Sequence, residues 1–171
     1  AESFPIMGSL GYPILINPSR VFALSELAPH ISEYRKAWQK AGHQGQGKVG
    51  LRIPVYVAET AEQAYSEPRD SAMLSVERLG QRVGSYATYG GTTGDWQAES
   101  DRILAADYDE WLRDKVAYGT PEAVEDRLHV LQEELGLEQI IFDVNYGNLI
   151  PQERQRKSLR LFMEKVVPSF K

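Results

Sequence analysis

The sequence predicts an α/β protein built on a parallel sheet that helices cover. Three apolar runs carry that prediction: residues 12–17 (Tyr-Pro-Ile-Leu-Ile-Asn), 51–57 (Leu-Arg-Ile-Pro-Val-Tyr-Val) and 139–145 (Gln-Ile-Ile-Phe-Asp-Val-Asn). Each is followed by residues with helical periodicity, and each is largely apolar rather than alternating, which is the pattern of strands covered on both faces. Right-handed crossovers then place 51–57 between the other two strands.

The elements follow in order. Residues 1–9 hold Ser3 and Pro5 ahead of Ile6 and Met7, with Gly8 and Gly11 behind them, which predicts a short helix that stops at glycine and enters the first strand. After Pro18, Leu27, Ile31, Tyr34 and Trp38 recur at steps of four, three and four, predicting a helix over 25–41 with Gly42 at its left-handed cap. Pro29 fits only near the first turn of that helix. The strand 51–57 runs into Thr60-Ala61-Glu62-Gln63, a capping box in which Thr60 and Gln63 are expected to satisfy each other's backbone donors. Pro68 breaks or restarts the helix that follows, and Leu74, Leu79, Val83 and Tyr86 continue its apolar face.

From 87 to 117 the periodicity lapses, apart from a short helix expected over 107–115, and the reading is of a long insertion resembling a lid. Thr120-Pro121-Glu122 then supplies an N-cap, a proline at the first helical position and an acid against the dipole, ahead of Val124, Leu128, Leu131, Leu135 and Gly136. Pro151 opens the last helix, with Leu159, Phe162 and Val166 as its stripe and Pro168 at its end.

Composition narrows the function classes. A net charge of -5 and a pI near 5.3 provide no basic field for a phosphate backbone, so no nucleic-acid partner is expected. Cysteine is absent, which removes disulfides and thiolate zinc sites from consideration and fits a cytoplasmic enzyme. No apolar run approaches the ~18 residues that span a bilayer, so no membrane insertion is expected. His30, His43 and His129 have no second ligand at metal spacing, and packing or solvated roles are expected for them, with no metal site. The chain opens on Ala1-Glu2-Ser3-Phe4, without Met, and reaches a strand almost at once. Three parallel strands also leave two bare edges, and both observations lead us to expect a piece of a longer polypeptide.

Four runs together carry a resemblance: Ala1-Glu2-Ser3, Gly11-Tyr12-Pro13-Ile14-Leu15, Tyr118-Gly119-Thr120-Pro121-Glu122-Ala123-Val124, and Ser158-Leu159-Arg160-Leu161-Phe162 with Val167-Pro168 behind it. Their order and spacing resemble the C-terminal half of the bacterial-luciferase-like flavin monooxygenases, across essentially the whole chain. The resemblance implies a partial (β/α)8 TIM barrel. Residues 1–171 would be its last three βα units, with the N-terminal half absent and the chemistry at the C-terminal ends of the strands.

It also implies a cofactor site. Glu2 and Ser3 would lie at the phosphate of flavin mononucleotide (FMN), Ser3 offering hydroxyl and backbone donors. Ser3 reads equally as a plain N-cap. Asn17 closes its strand where a flavin ring would lie, and Asn145 matches it at the end of the last strand. Both are also ordinary turn residues. Gly90, Gly91 and Gly94 would act as hinges of a lid with Trp96 as its apolar plug, or belong to a surface loop. Asp107, Asp109 and Glu110 read as helix-capping acids.

The activity implied is a monooxygenase reaction in which reduced FMN and O2 oxygenate a small organic substrate. The reduced flavin would come from NAD(P)H or a partner flavin reductase. The alternatives are an oxidoreductase that uses the deazaflavin coenzyme F420 on the same barrel, or a non-catalytic half-barrel that packs against another chain. A homo-oligomer or a separate N-terminal half would complete the molecule, and the isolated chain would be inactive.

Overall fold

The computed structural model describes residues 2–18, 23–89 and 95–170. The chain divides into two compact units, Ala1–Ile53 with Glu125–Asp143 and Pro54–Val124 with Val144–Lys171. A strand β2 (Val49–Val57) and a helix α7 (Pro121–Leu135) contribute residues to both.

In the first unit α1 (Ser3–Leu10) ends at Gly11, whose φ of 75° lets its N–H turn back to the carbonyls of Gly8 and Met7. The chain then enters β1 (Ile14–Ile16). A 3-10 turn (Leu24–Glu26) leads into α2 (Leu27–Lys40), which buries Leu27, Ile31 and Tyr34, the three- and four-residue spacing expected of one helix face. β1 pairs in parallel with the start of β2, with Ile14 opposite Val49, Leu15 opposite Gly50 and Ile16 opposite Leu51. β4 (Gln139–Asp143) also pairs with β2, and the Glu138 N–H donates to the Val49 carbonyl at 3.0 Å just before it.

Within this unit Leu128, Leu131 and Leu135 of α7 are buried. The helix closes at Gly136, with φ of 62°, where Arg35 Nη2 donates to the Gly136 carbonyl at 2.7 Å. Arg52 and Asp143 form an ion pair at 2.6 Å, while Leu15 and Ile141 stay exposed.

In the second unit the end of β2 pairs in parallel with a short strand, β3 (Ala117–Gly119), Val55 opposite Ala117 and Val57 opposite Gly119. Its helices are α3 (Ala61–Ser66), α4 (Arg69–Tyr89), α5 (Trp96–Ala105), α6 (Tyr108–Lys115), the start of α7, and α8 (Gln152–Leu161). The last of these continues as a π turn (Phe162–Val166) and a 3-10 turn (Val167–Phe170). A core of Tyr56, Ala58, Ala64 and Ile150 packs against Tyr118. Ser158 on α8 accepts the Val57 N–H at 2.8 Å, so a buried strand-end donor is satisfied from a helix.

The parallel pairing of β1 with β2 and of β2 with β3 agrees with the expected parallel sheet, and β2 pairs with both β1 and β4 as expected. The described sheet has four strands rather than three, because the short β3, three residues long, is too brief to leave an apolar run in the sequence. Several local expectations are corrected. The described residues between 87 and 117 are not irregular: they hold α5, α6 and the start of β3 besides the last turn of α4. The Thr60 capping box is half formed. Thr60 Oγ1 accepts the Gln63 N–H at 3.2 Å, but Gln63 Oε1 is buried with no partner. The final helical segment buries Ser158, Phe162 and Val166 at steps of four, and Leu159 falls off that face into solvent. The buried face of α4 is Ala72, Val76, Leu79 and Val83, and Tyr86 is exposed.

Candidate functional site

The first unit contains a recess of about 390 Å³ lined by Ser3, Phe4 and Met7 of α1 and by Pro13 through Asn17 of β1 and its flanks. Gly11 makes this possible, because its left-handed turn brings the chain from α1 straight into β1. Ser3 and Asn17, proposed from the sequence at separate points, therefore line one concavity. Its walls are apolar (Phe4, Met7, Ile14, Ile16), with polar groups at Ser3 and Asn17, the composition of a small-molecule site.

Ser3 is the first residue of α1. Glu2 holds the N-cap position in helical conformation, with no side-chain hydrogen bond capping the helix. The first-turn N–H groups are thus not taken by a side-chain cap, and with the dipole of this eight-residue helix they suit an anion. The Glu2 carboxylate is exposed and close by, and it opposes an anion unless turned to solvent. Asn17 is exposed directly after β1. Residues 19–22 of the loop that follows lie outside the described residues.

The second unit carries the loop after β4. Asn145 Oδ1 accepts the Ile150 N–H at 3.0 Å, so its side chain closes its own loop. The Tyr146 carbonyl accepts from Ser71 Oγ at 2.7 Å, the Leu149 N–H donates to the same oxygen at 2.9 Å, and the Tyr146 ring stacks on Trp111 at 5.8 Å. Gln155 Nε2 donates to the Ile150 carbonyl at 2.6 Å. Sequence reading missed Ser71, which lies on a helix face with no motif around it. The signal for the loop itself was the Asn-Tyr-Gly-Asn turn at 145–148, where Gly147 and Asn148 have φ of 93° and 67°.

Of the expected lid, Gly90, Gly91 and Gly94 lie outside the described residues. Trp96 is the first residue of α5, behind Asp95, whose carboxylate accepts the Ala98 N–H at 3.0 Å, and its ring meets Tyr86 edge-on at 5.6 Å. Asp107 caps α6 through the Glu110 N–H at 2.8 Å. His30 stacks on Phe4 at 5.4 Å, and His43 Nε2 lies 3.0 Å from the Ser9 carbonyl. Among the described residues, no group of three or more His, Cys, Asp and Glu side chains could hold a metal ion, and no helix is long and apolar enough to cross a membrane.

Elsewhere in the second unit the Tyr56 phenol donates to the Glu67 carboxylate, which has Arg154 Nε 3.6 Å away. Burial, then the hydrogen bond to Glu67, pushes the Tyr56 phenol far above its ordinary value. Burial does the same to Tyr108, whose hydroxyl donates to the Tyr65 carbonyl at 2.8 Å. Both phenols are therefore neutral structural donors rather than acid/base groups near neutral pH.

The chain is similar in structure to monooxygenase RslO1 from Streptomyces bottropensis, with a TM-score of 0.67 and 22% identity over 99% of this chain and 45% of that one. It is also similar to the oxygenating constituent of 3,6-diketocamphane monooxygenase from Pseudomonas putida in complex with FMN (TM-score 0.67, 17% identity, 98% of this chain and 45% of that one). A third relative is the coenzyme F420 dependent tetrahydromethanopterin reductase from Methanopyrus kandleri (TM-score 0.62, 14% identity, 98% and 48%). At these identities the likeness is one of fold, and the chain spans about half the length of each protein. A search of curated proteins gives no match. The family model for luciferase-like monooxygenases matches residues 1–139, and with the parallel strands of a partial TIM barrel in place the chain belongs to that family.

Proposed function

We propose that this chain is the C-terminal part of a flavin-dependent monooxygenase that uses reduced FMN and O2 to oxygenate a small organic substrate. The observation that carries the reading is the recess that gathers Ser3 and Asn17 at the adjoining ends of α1 and β1. The residues present fit FMN: the first turn of α1 would receive the phosphate, with the Ser3 hydroxyl as an added donor, and the Asn17 amide would bond the polar edge of the ring. Phe4, Met7 and Ile14 would exclude water from the apolar part of the cofactor.

When bound, reduced FMN supplies the oxygen-activating chemistry, and this chain's residues bind, orient and desolvate. The rest of the barrel, from a preceding segment or another copy, would complete the site, with a flavin reductase as a further partner and the cytoplasm as the setting. Coenzyme F420 is the second reading, favoured by the fold shared with an F420 dependent reductase.

The test uses the whole protein that contains this chain, titrated with FMN and with F420, followed by oxygen uptake on adding reduced FMN. FMN binding with oxygen consumption is the expected result. Binding of F420 alone, without oxygen uptake, would replace oxygenation by hydride transfer, and failure to bind either would overturn both readings.

A further inference from the structure

We propose that Arg52 is a further flavin-binding residue, whose guanidinium, held by Asp143 beside Asn17, supplies positive charge to the polar edge of the ring and favours reduced over oxidised FMN. The proposal rests on the flavin reading above. Ser3, Asn17, Arg52 and Asp143 all belong to the first unit. The register of its sheet brings the last three of them to one face. Leu15 lies opposite Gly50 and Ile16 opposite Leu51, so the next position sets Asn17 beside Arg52, one strand spacing of about 4.8 Å away. Burial alternates to match: Ile16, Leu51 and Ile53 are buried, whereas Leu15 and Asn17 are exposed and the Arg52 side chain keeps 42% of its surface in solvent. A Cβ built on Gly50 would lie 2.9 Å from Leu15 Cδ1 and 3.6 Å from the Gln139 Cβ, so β1, β2 and β4 share that open face.

On β4 the same two-residue period carries the face from Gln139 through Ile141 to Asp143, whose Oδ2 accepts from Arg52 Nη2 at 2.6 Å. An ion pair this open to solvent contributes little to stability. Its effect is to fix the direction of a long side chain, and of the five N–H donors of the guanidinium one is spent on Asp143 among the described hydrogen bonds. Asn17, the neighbour of Arg52 in the register, lines the recess and is the residue assigned to the polar edge of the ring. Oxidised FMN carries no charge on that ring, whereas reduced FMN that has lost its N1 proton carries a negative charge shared by N1 and the adjacent carbonyl oxygen. A cation beside this edge therefore binds the reduced form preferentially. Asp143 offsets part of the cation's charge, so the two residues act on the preference in opposite directions. A purely structural pair would affect both redox forms alike, and in the same direction whichever partner was changed.

The experiment uses the whole protein that contains this chain, titrated anaerobically with reduced FMN and separately with oxidised FMN, for wild type, Arg52→Gln, Arg52→Lys and Asp143→Asn. Arg52→Gln should weaken reduced FMN roughly tenfold with little change for oxidised FMN, which lowers the midpoint potential of the bound flavin by about 30 mV. Arg52→Lys keeps the charge and should retain most of the preference. Asp143→Asn, whose amide oxygen still accepts from the guanidinium, should strengthen reduced FMN relative to oxidised FMN, and being nearly isosteric it serves if Arg52→Gln does not fold. Equal losses for both forms in Arg52→Gln, a preference lost as fully in Arg52→Lys as in Arg52→Gln, or a shift in Asp143→Asn toward oxidised FMN would each overturn the proposal. Wild type that binds neither form would overturn the flavin reading and this proposal with it, whereas wild type that binds both, with their ratio unchanged in every variant, would overturn this proposal alone.

Discussion

Gly147 combines a φ of 93° with a carbonyl oxygen sitting where its side chain would go. Either condition alone disfavours other residues, and together they make Gly147→Ala a backbone change rather than a surface one. Its stability, read from chemical denaturation of the whole protein, should fall by more than about 2 kcal/mol. Ser3 is different in kind, because its exposed hydroxyl holds up nothing else among the described hydrogen bonds. Ser3→Ala should leave the unfolding midpoint unchanged and weaken FMN binding by about 1 to 2 kcal/mol, the scale of a hydrogen bond to a charged group. Unchanged affinity in a fluorescence titration would remove Ser3 from the phosphate site.

At the scale of elements, the start of α7 shows how far local chemistry can be read from sequence. Thr120-Pro121-Glu122 announced a helix start, and the Ala123 N–H is bound by Thr120 Oγ1 at 3.4 Å. The Glu122 carboxyl is held below its ordinary value by its own backbone N–H, then by the Thr120 hydroxyl. A carboxyl depressed in the folded state adds stability that is present above its unfolded value and is lost as pH falls through the folded one. Thr120→Ala should therefore raise the Glu122 midpoint in an NMR titration, flatten the acid side of the stability profile, and cost about 1 kcal/mol at neutral pH from the lost cap. Strands and long helices were legible because burial imposes a period on them, as at Leu27, Ile31 and Tyr34. The helix α5 was not, because its buried face is Ser100 and Ile103, with Leu104 exposed, and Ser100 fits by bonding the Gly80 carbonyl at 2.8 Å. Ser71 was hidden for the same reason: a polar residue buried by a tertiary hydrogen bond leaves no periodic trace. What the sequence did hold for the site was the end points, Ser3 and Asn17, but their meeting depends on the turn at Gly11.

For the molecule as a whole, the chain covers 45% of each of two neighbouring structures, and its first unit exposes apolar side chains. Leu15 and Ile141 are strand residues with 55% and 42% of their surfaces in solvent, and Ile6, Leu10 and Tyr12 are exposed beside them in sequence or in the same unit. Apolar surface on sheet residues is ordinarily covered in a finished fold. Purified residues 1–171 should accordingly self-associate in sedimentation velocity, carry no stoichiometric flavin, and show no turnover of reduced FMN and O2. A monomer that binds FMN and turns over would show that the chain suffices by itself.

Gly8 has a consequence for how this family's sequences can drift. A Cβ there would lie 2.2 Å from the Tyr34 carbonyl oxygen and 3.1 Å from both the Ala37 Cβ and the Trp38 nitrogen, so α1 crosses α2 backbone against backbone at this point. Neighbours that share the fold at 14 to 22% identity have replaced most of their side chains. A side chain can be exchanged for another of similar volume, whereas a vacancy for one has no substitute. If every codon were sampled at position 8 and survivors were selected for folded, soluble protein, glycine alone should return, while the neighbouring exposed Ile6 should accept a broad alphabet.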